Sequence, residues 1–281
     1  MKYTLSTGKI IIDKSEDFSI SQILECGQIF RFKKLEDNSY IVYFKDNYAR
    51  VYEKGDKIII ESNDENRAVD FFDLNRDYGK IKKKLLKHEY LKDAIEYGYG
   101  IRILKGDPEE IIFSFIISAN NNIKRIQKII SKLCEIGRDM GEYKAFPTAK
   151  EILSASDEFM DSLHAGYRTP YLKKTAQMLV NVDLSEKAKL STLELKKWLM
   201  SLSGVGPKVA SCILLFGFGR FDTFPVDTWI EKVYRNHFYS GEKTRVEIEA
   251  YFIELFGGTM SGIVQQYLFY AERGEKGESQ H

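Results

Sequence analysis

The sequence predicts an α+β protein in which an antiparallel β-sheet domain, about residues 1–95, precedes a helical body, about residues 96–281. Three observations carry this prediction. Apolar and polar residues alternate through 40–62, which is typical of strands with one buried face. From residue 65 onwards apolar residues recur at helical spacing. The chain has 281 residues, 43% of them hydrophobic and 30% charged, so it can bury a sizeable core.

The strand signal is strongest in YIVYFKDNYARVYEKGDKIIIES, residues 40–62. β-Branched and aromatic residues alternate there with polar ones, and Lys54-Gly55-Asp56 has turn composition. Residues 65–98 change to helical spacing, with their lysines on a solvated face. The sheet is therefore expected to end before this segment.

Helices are expected to dominate the rest of the chain. One long helix is predicted over 108–137, with Pro108 in its first turn, where a missing N–H is tolerated. Further helical patterns cover 146–163, 171–182, 192–202, 226–238 and 262–273. The order of a sheet followed by helices is that of an α+β fold.

Composition excludes several classes of protein. The net charge is +1 and the isoelectric point is about 7.6, so nucleic-acid binding would depend on a local basic face. Cys26, Cys134 and Cys212 are too far apart for a disulfide framework, a zinc site or an iron–sulfur cluster. No apolar run reaches membrane-spanning length. We expect an intracellular protein that needs no metal or organic cofactor.

A glycine hairpin, LSGVGPK at residues 202–208, separates two helical segments. Gly204 and Gly206 allow backbone angles that side chains forbid, and they allow close approach of another backbone. The free N–H groups of a helix that starts near Pro207 would attract an anion, of which a phosphodiester is the natural candidate. The alternative is an ordinary packing corner between two helices.

Lys208 follows this hairpin and precedes an almost uncharged helix, and Asp227 lies 19 residues further on, where it can cap the next helix (227 − 208 = 19). A lysine attacks carbon only as the neutral amine, and apolar surroundings favour that form. A carboxylate beside it suits the stabilisation of a cationic, oxocarbenium-like sugar. The alternative is that Lys208 pairs with some exposed carboxylate and that Asp227 is only a helix cap.

The segments LSGVGPKVA and FPVD resemble the helix-hairpin-helix, Gly/Pro…Asp superfamily of DNA glycosylases. Lysine at 208 is similar to the bifunctional glycosylase/lyase branch. ECGQIFRF (25–32), SANNNIKRI (118–126), AGYRTPY (165–171) and VQQYLFYA (264–271) resemble the successive site segments of 8-oxoguanine DNA glycosylase/lyases. The resemblance implies a sheet domain and a helical body with a helix-hairpin-helix at about 193–218. It also implies excision of 8-oxoguanine from duplex DNA by a lysine Schiff base and β-elimination.

The same resemblance assigns roles to residues outside the hairpin. Such an enzyme must extrude its target nucleotide from the duplex. By resemblance, Tyr167 is the wedge that fills the gap, and Asn120, Arg125 and Arg168 contact the estranged cytosine. An aromatic ring can replace base stacking, while an amide and guanidinium groups reach base edges. The implied partner is duplex DNA with 8-oxoguanine opposite cytosine, bound by a monomer that is DNA-associated, at the nucleoid or in the nucleus, and not at a membrane.

The resemblance also implies a pocket for the damaged base. Gly27 is similar to the residue whose carbonyl accepts a hydrogen bond from the extra donor of 8-oxoguanine. Gln265 would read the pairing edge, with Phe269 and Cys212 against the two faces of the base. Gln265 and Phe269 are one helical turn apart, as are Lys208 and Cys212, so both pairs can share a pocket. The hairpin residues Gly204, Val205 and Gly206 would bind phosphate.

One residue departs from the family pattern. Trp229 stands where much of the family has a histidine, which puts a phosphate contact there in doubt, although an indole N–H can still donate one hydrogen bond. Two alternatives stay open. The first is a monofunctional glycosylase for another damaged purine, which would form no trapped covalent adduct. The second is a non-catalytic helix-hairpin-helix DNA-binding protein, which would release no base.

Overall fold

The sheet is antiparallel throughout and has the strand order β1-β2-β6-β5-β4-β3. The computed structural model describes residues 1–277, so residues 278–281 of the predicted helical body lie outside the described residues. The six strands are β1 (Tyr3–Ser6), β2 (Lys9–Asp13), β3 (Phe32–Lys34), β4 (Tyr40–Phe44), β5 (Asn47–Lys54) and β6 (Lys57–Ser62).

Fifteen α-helices are present in the described chain. They are α1 (Ile20–Glu25), α2 (Glu65–Phe71), α3 (Tyr78–Leu85), α4 (Lys92–Tyr97), α5 (Pro108–Ser118), α6 (Ile123–Leu133), α7 (Ala149–Ser154), α8 (Asp157–Ser162), α9 (Thr169–Leu179), α10 (Leu184–Lys187), α11 (Thr192–Met200), α12 (Pro207–Phe218), α13 (Thr228–His237), α14 (Arg245–Phe256) and α15 (Ser261–Gly277). Short 3₁₀ turns cover Glu89–Leu91, Cys134–Ile136 and Gly166–Arg168.

The predicted α+β class is confirmed, and the alternation in 40–62 acts as expected. Tyr40, Val42 and Phe44 of β4 are buried, while the residues between them are half-exposed. The buried face packs on the first helix after the sheet, where the rings of Phe44 and Phe71 stack with their centroids 4.2 Å apart. The predicted turn at Lys54-Gly55-Asp56 joins β5 to β6, and Gly55 has a φ of 61° there.

Two details of the sequence prediction were incomplete. Residues 40–62 form three strands, because a second turn at 45–46, which was not predicted, separates β4 from β5. Helices α1, α10 and α14 were not predicted. The boundary between the two predicted domains, near residue 95, stays a prediction.

The long helix predicted over 108–137 is broken in two. Helix α5 ends at Ser118 and α6 begins at Ile123. Asn120 has a φ of 49°, which a continuous right-handed helix cannot contain, and the Asn122 side chain accepts a hydrogen bond from the Arg125 N–H as the N-cap of α6. The asparagine run therefore makes a loop between the two helices.

Helices α5 and α12 form the centre of the helical body. Helix α12 buries nine of its residues, and the rings of Phe115 on α5 and Phe216 on α12 stack with centroids 5.6 Å apart. The first turn of α5 is tied to the sheet domain by an ion pair between Arg31 and Glu110, both buried, at 3.1 Å. This rigid pair of helices carries the candidate site.

Within residues 1–277, none of the helices is both long enough and apolar enough to cross a membrane. No group of three or more His, Cys, Asp or Glu side chains in this part of the chain is arranged to hold a metal ion.

Candidate active site

The glycine hairpin lies between α11 and α12, and its two glycines have different reasons to be there. Gly204 has a φ of 81°, and a Cβ at that position would lie 2.7 Å from the Tyr171 ring, so only glycine fits. Gly206 has an ordinary extended backbone, φ −89° and ψ −179°, and a Cβ there would meet nothing within 4 Å. The prediction that Gly206 is needed for its backbone angles is wrong. The lack of a side chain at Gly206 leaves open space beside the start of α12. Val205 is buried and anchors the hairpin.

The start of α12 places Lys208 beside Cys212, one turn further on. Gly206 is the N-cap of α12 and Pro207 its first residue, as predicted. Asp227 is the N-cap of α13, and its Oδ1 accepts hydrogen bonds from the N–H groups of Trp229 and Ile230, each at 3.0 Å. The expected capping role of Asp227 is confirmed, and the cap fixes the orientation of the carboxylate.

Every residue predicted to take part in the chemistry or to hold the base lines one small cavity. The complete lining is Gly27, Phe115, Lys208, Cys212, Phe216, Pro225, Asp227, Gln265, Gln266 and Phe269. These residues come from the segment after α1 and from α5, α12, the loop before α13, and α15. The cavity measures about 30 Å³, which is room for little more than one water molecule. A purine base can enter only if a wall moves.

Gln265 carries the clearest sign that this cavity expects a ligand. Its side chain is only 4% exposed, and its Oε1 has no hydrogen-bond partner within the described chain. A buried acceptor without a partner destabilises a fold, so such groups are rare unless a ligand supplies the donor. The N–H groups on the pairing edge of a guanine-type base are donors of that kind.

The segment around Gly27 is held against α15 by several hydrogen bonds. The Gln266 Nε2 donates to the Cys26 carbonyl at 2.9 Å, and an Arg273 Nη2 donates to the Glu25 carbonyl at 2.6 Å. Gly27 itself has a φ of 85°, and a Cβ there would lie 3.0 Å from the Arg273 Nη1, so glycine is required. The position of Gly27 relative to Gln265 is therefore well defined.

Phe269 is the wall best placed to move. It is half-buried, whereas Cys212, which lines the same cavity, lies in the packed α12. The guanidinium of Arg273, one turn along α15, lies 5.4 Å from the centroid of the Phe269 ring. A shift of this ring would open space between it and Cys212, which is where the base is expected to stack.

The electrostatics of Lys208 differ from the expectation. Burial lowers the pKa of Lys208, but Cys212 and Asp227 raise it more, so its pKa lies above the ordinary value for lysine. Burial also raises the pKa of Cys212, against the opposing effect of Lys208. The direction of this shift is opposite to the expectation that apolar walls favour the neutral amine.

The residues expected to contact the strand opposite the lesion form a second cluster around the Ala119 carbonyl. This oxygen accepts hydrogen bonds from the Tyr167 hydroxyl at 3.1 Å and from the Nε of Arg168 at 3.0 Å, and also from an Nη2 of Arg168. The ring of Tyr167 is 52% exposed, as a wedge requires. Helix α5 links the two clusters, because Phe115 lines the cavity one turn before Ala119.

Arg168 is not free to reach a base in this conformation. It is only 3% exposed, and its guanidinium donates to the carbonyls of Ala119, Asn120 and Ala165. It thus holds the loop that presents Asn120, whose side chain is exposed. Arg125 is exposed and donates to the His164 carbonyl at 3.0 Å. The cytosine contacts of all three residues stay predictions, and that of Arg168 requires a rearrangement.

Trp229 lies half-buried in the first turn of α13, with the Lys232 ammonium 4.7 Å from its ring centroid. Several residues at or beside the site were not predicted from the sequence: Phe115, Phe216, Pro225, Gln266 and Arg273. Nothing in the sequence around Phe115 and Phe216 distinguishes them from ordinary core residues. Gln266 and Arg273 could have been found, since a second amide and a cation on the same apolar helix need partners.

Comparison with known proteins identifies the family of the chain. Residues 9–112 match the family model of the 8-oxoguanine DNA glycosylase N-terminal domain, and residues 113–257 match that of the HhH-GPD superfamily base excision DNA repair protein. The N-glycosylase/DNA lyase of Saccharomyces cerevisiae is 31% identical over 80% of this chain and 69% of its own. A probable N-glycosylase/DNA lyase of Methanothermobacter thermautotrophicus is 30% identical over 70% of each chain.

A solved structure also resembles the whole fold. The Clostridium acetobutylicum 8-oxoguanine glycosylase/lyase, in complex with double-stranded DNA containing cytosine opposite 8-oxoguanine, superposes with a TM-score of 0.90. It is 35% identical and covers 98% of this chain and 99% of its own. The chain belongs to the HhH-GPD superfamily of base excision DNA repair proteins and carries the N-terminal domain of 8-oxoguanine DNA glycosylases.

Proposed function

We propose that the protein is a bifunctional DNA glycosylase/lyase that excises 8-oxoguanine opposite cytosine from duplex DNA and then cuts the strand. The observation that carries this proposal is the unpartnered Gln265 Oε1, buried in the same cavity wall as Lys208 and Asp227. It supports a site in which Gln265 reads the purine edge, Lys208 is the nucleophile and Asp227 is the carboxylate, since all three line one cavity. The yeast and clostridial relatives have the same combination of activities in their names.

Base departure comes first in the proposed mechanism. The everted base displaces the closed wall at Phe269 and stacks against Cys212. The C1′–N9 bond breaks with its electron pair passing to the base, and the carboxylate of Asp227 stabilises the cationic sugar. The Lys208 ammonium gives a proton to the departing base, which neutralises the leaving group and creates the free amine in one transfer. The raised pKa of Lys208 favours its protonated form before the base departs.

Strand cleavage follows from the same amine. Neutral Lys208 attacks C1′, and the ring C1′–O4′ bond opens as a proton passes from nitrogen to O4′, which leaves an iminium. Transfer of a C2′ proton to a water molecule then expels the 3′ phosphate as an anion. These steps need no metal or organic cofactor. We also propose that the reaction takes place on DNA inside the cell, in the nucleoid or the nucleus.

Borohydride trapping tests the proposal directly. A duplex with 8-oxoguanine opposite cytosine is incubated with the protein and reductant, and the covalent adduct is resolved on a denaturing gel. Lys208→Gln should abolish both the adduct and the nick while it retains DNA binding. Lys57→Gln, which removes an ion-paired lysine from the sheet, is the matched control and should trap normally.

The outcomes separate the alternatives. Base release without an adduct from the wild type would indicate a monofunctional glycosylase. Equal binding of intact and damaged DNA without release would indicate a binding module only. An adduct that survives in Lys208→Gln would show that another amine is the nucleophile. Duplexes with each of the four bases opposite the lesion measure the preference for cytosine.

A further inference from the structure

A second cavity lies beside the base pocket and shares Lys208 with it. It measures about 240 Å³, and its lining includes Gly206 and Pro207 of the hairpin, Lys208, and Thr244 and Arg245 at the start of α14. Lys208 lines both cavities. A nucleotide whose base lies in the first cavity has its sugar at Lys208, so its phosphate points towards the second.

Arg245 is the arginine that faces this second cavity. Its side chain is about half exposed, and an Nη2 donates to Glu231 Oε2 on α13 at 2.6 Å. An exposed ion pair of this kind contributes little, and a guanidinium has five N–H donors, so Arg245 can bind a second anion. Its planar group matches two oxygens of a phosphodiester.

The first turn of α13 carries no positively charged side chain that could bind a phosphate in the place of Arg245. Trp229 stands two residues after Asp227, and its indole can donate one hydrogen bond but carries no charge. We propose that Arg245 binds the backbone phosphate of the lesion nucleotide and so positions the sugar over Lys208. The inference rests on the proposed function. The positive charge of Arg245 also lowers the pKa of Lys208, whereas Cys212 and Asp227 raise it.

The salt dependence of DNA binding tests this inference. The probe is a duplex with a tetrahydrofuran abasic analogue opposite cytosine, which binds without being cut. Affinity is measured by fluorescence anisotropy between about 50 and about 200 mM salt, because each neutralised phosphate adds about one unit to the slope of log K against log salt. Arg245→Gln should weaken binding severalfold and reduce the slope by about one unit.

Three further variants make the result specific. Arg245→Lys keeps the charge and should restore the slope. Glu231→Gln removes the partner of Arg245 and should bind DNA as well as or better than the wild type. Arg50→Gln is the matched control, because Arg50 pairs with Asp37 at 2.7 Å on the sheet and is similarly exposed, and it should change neither slope nor affinity.

A purely structural role for Arg245 predicts a different pattern. Arg245→Gln and Glu231→Gln would then lower the melting temperature equally and leave the slope unchanged, which would overturn the inference. The wild type separates this failure from that of the proposed function. If the wild type releases no 8-oxoguanine, the proposed function is wrong; if it does and the Arg245→Gln slope is normal, only the role of Arg245 is wrong.

Discussion

Asp227→Asn separates the two roles that the structure gives to this residue, helix cap and carboxylate. Asparagine is as good an N-cap as aspartate, and its Oδ1 can accept the same hydrogen bonds from the Trp229 and Ile230 N–H groups. The variant should therefore fold normally. What it loses is the negative charge beside Lys208, which lines the same cavity.

The size of the effect follows from Coulomb's law. The cationic C1′ must come within bonding reach of the Lys208 Nζ, and we take its distance from the carboxylate as about 5 Å. At an effective dielectric constant of about 20, a unit charge there stabilises the cation by about 3 kcal/mol. Base release should thus slow by on the order of a hundredfold. Because Asp227 raises the pKa of Lys208, the same change should also make the lysine a stronger acid.

Single-turnover release of 8-oxoguanine, measured with thermal unfolding, checks this prediction. Asp227→Ala is the comparison, since it removes the cap as well and should cost about 1 kcal/mol, or a melting temperature lower by about 2–4 °C. The reasoning is refuted if Asp227→Asn releases the base within about fivefold of the wild-type rate. It also fails if both variants lose rate and stability in parallel, because Asp227 would then act only as a cap.

Two further predictions concern the pocket and its support. Gln265→Leu removes the buried unpartnered Oε1, so it should stabilise the fold by about 1 kcal/mol in urea unfolding. It should also slow 8-oxoguanine release at least tenfold and leave cleavage at a preformed abasic site intact; equal loss of both activities would contradict the assigned role. Arg31→Met leaves Glu110 buried without its partner and should lower the free energy of unfolding by about 3–5 kcal/mol. Arg31→Met with Glu110→Met should recover most of that loss, and additive losses would show that the ion pair is not the cause.

Local chemistry in the sequence was enough for the fold class, whereas the residues expected to hold the base came from the resemblance to a known family. The alternation in 40–62 gives β4 its buried face, and Pro207 and Asp227 begin α12 and α13 as their residue types demand. Spacing placed Lys208 with Cys212, and Gln265 with Phe269, because residues one turn apart share a helix face. The order of these segments was sufficient to point to the family.

Other features depended on the packing of distant segments and could not be read from the chain. The pKa of Lys208 is set by Asp227 as well as by its walls, so an apolar helix alone predicted the wrong direction for the shift. Arg168 looked like a base-reading guanidinium, but carbonyls from the loop after α5 enclose it. The tertiary structure alone brings Arg245 to a cavity that Lys208 also lines. Sequence determines which groups a helix face presents, whereas charge state and accessibility depend on neighbours that only folding supplies.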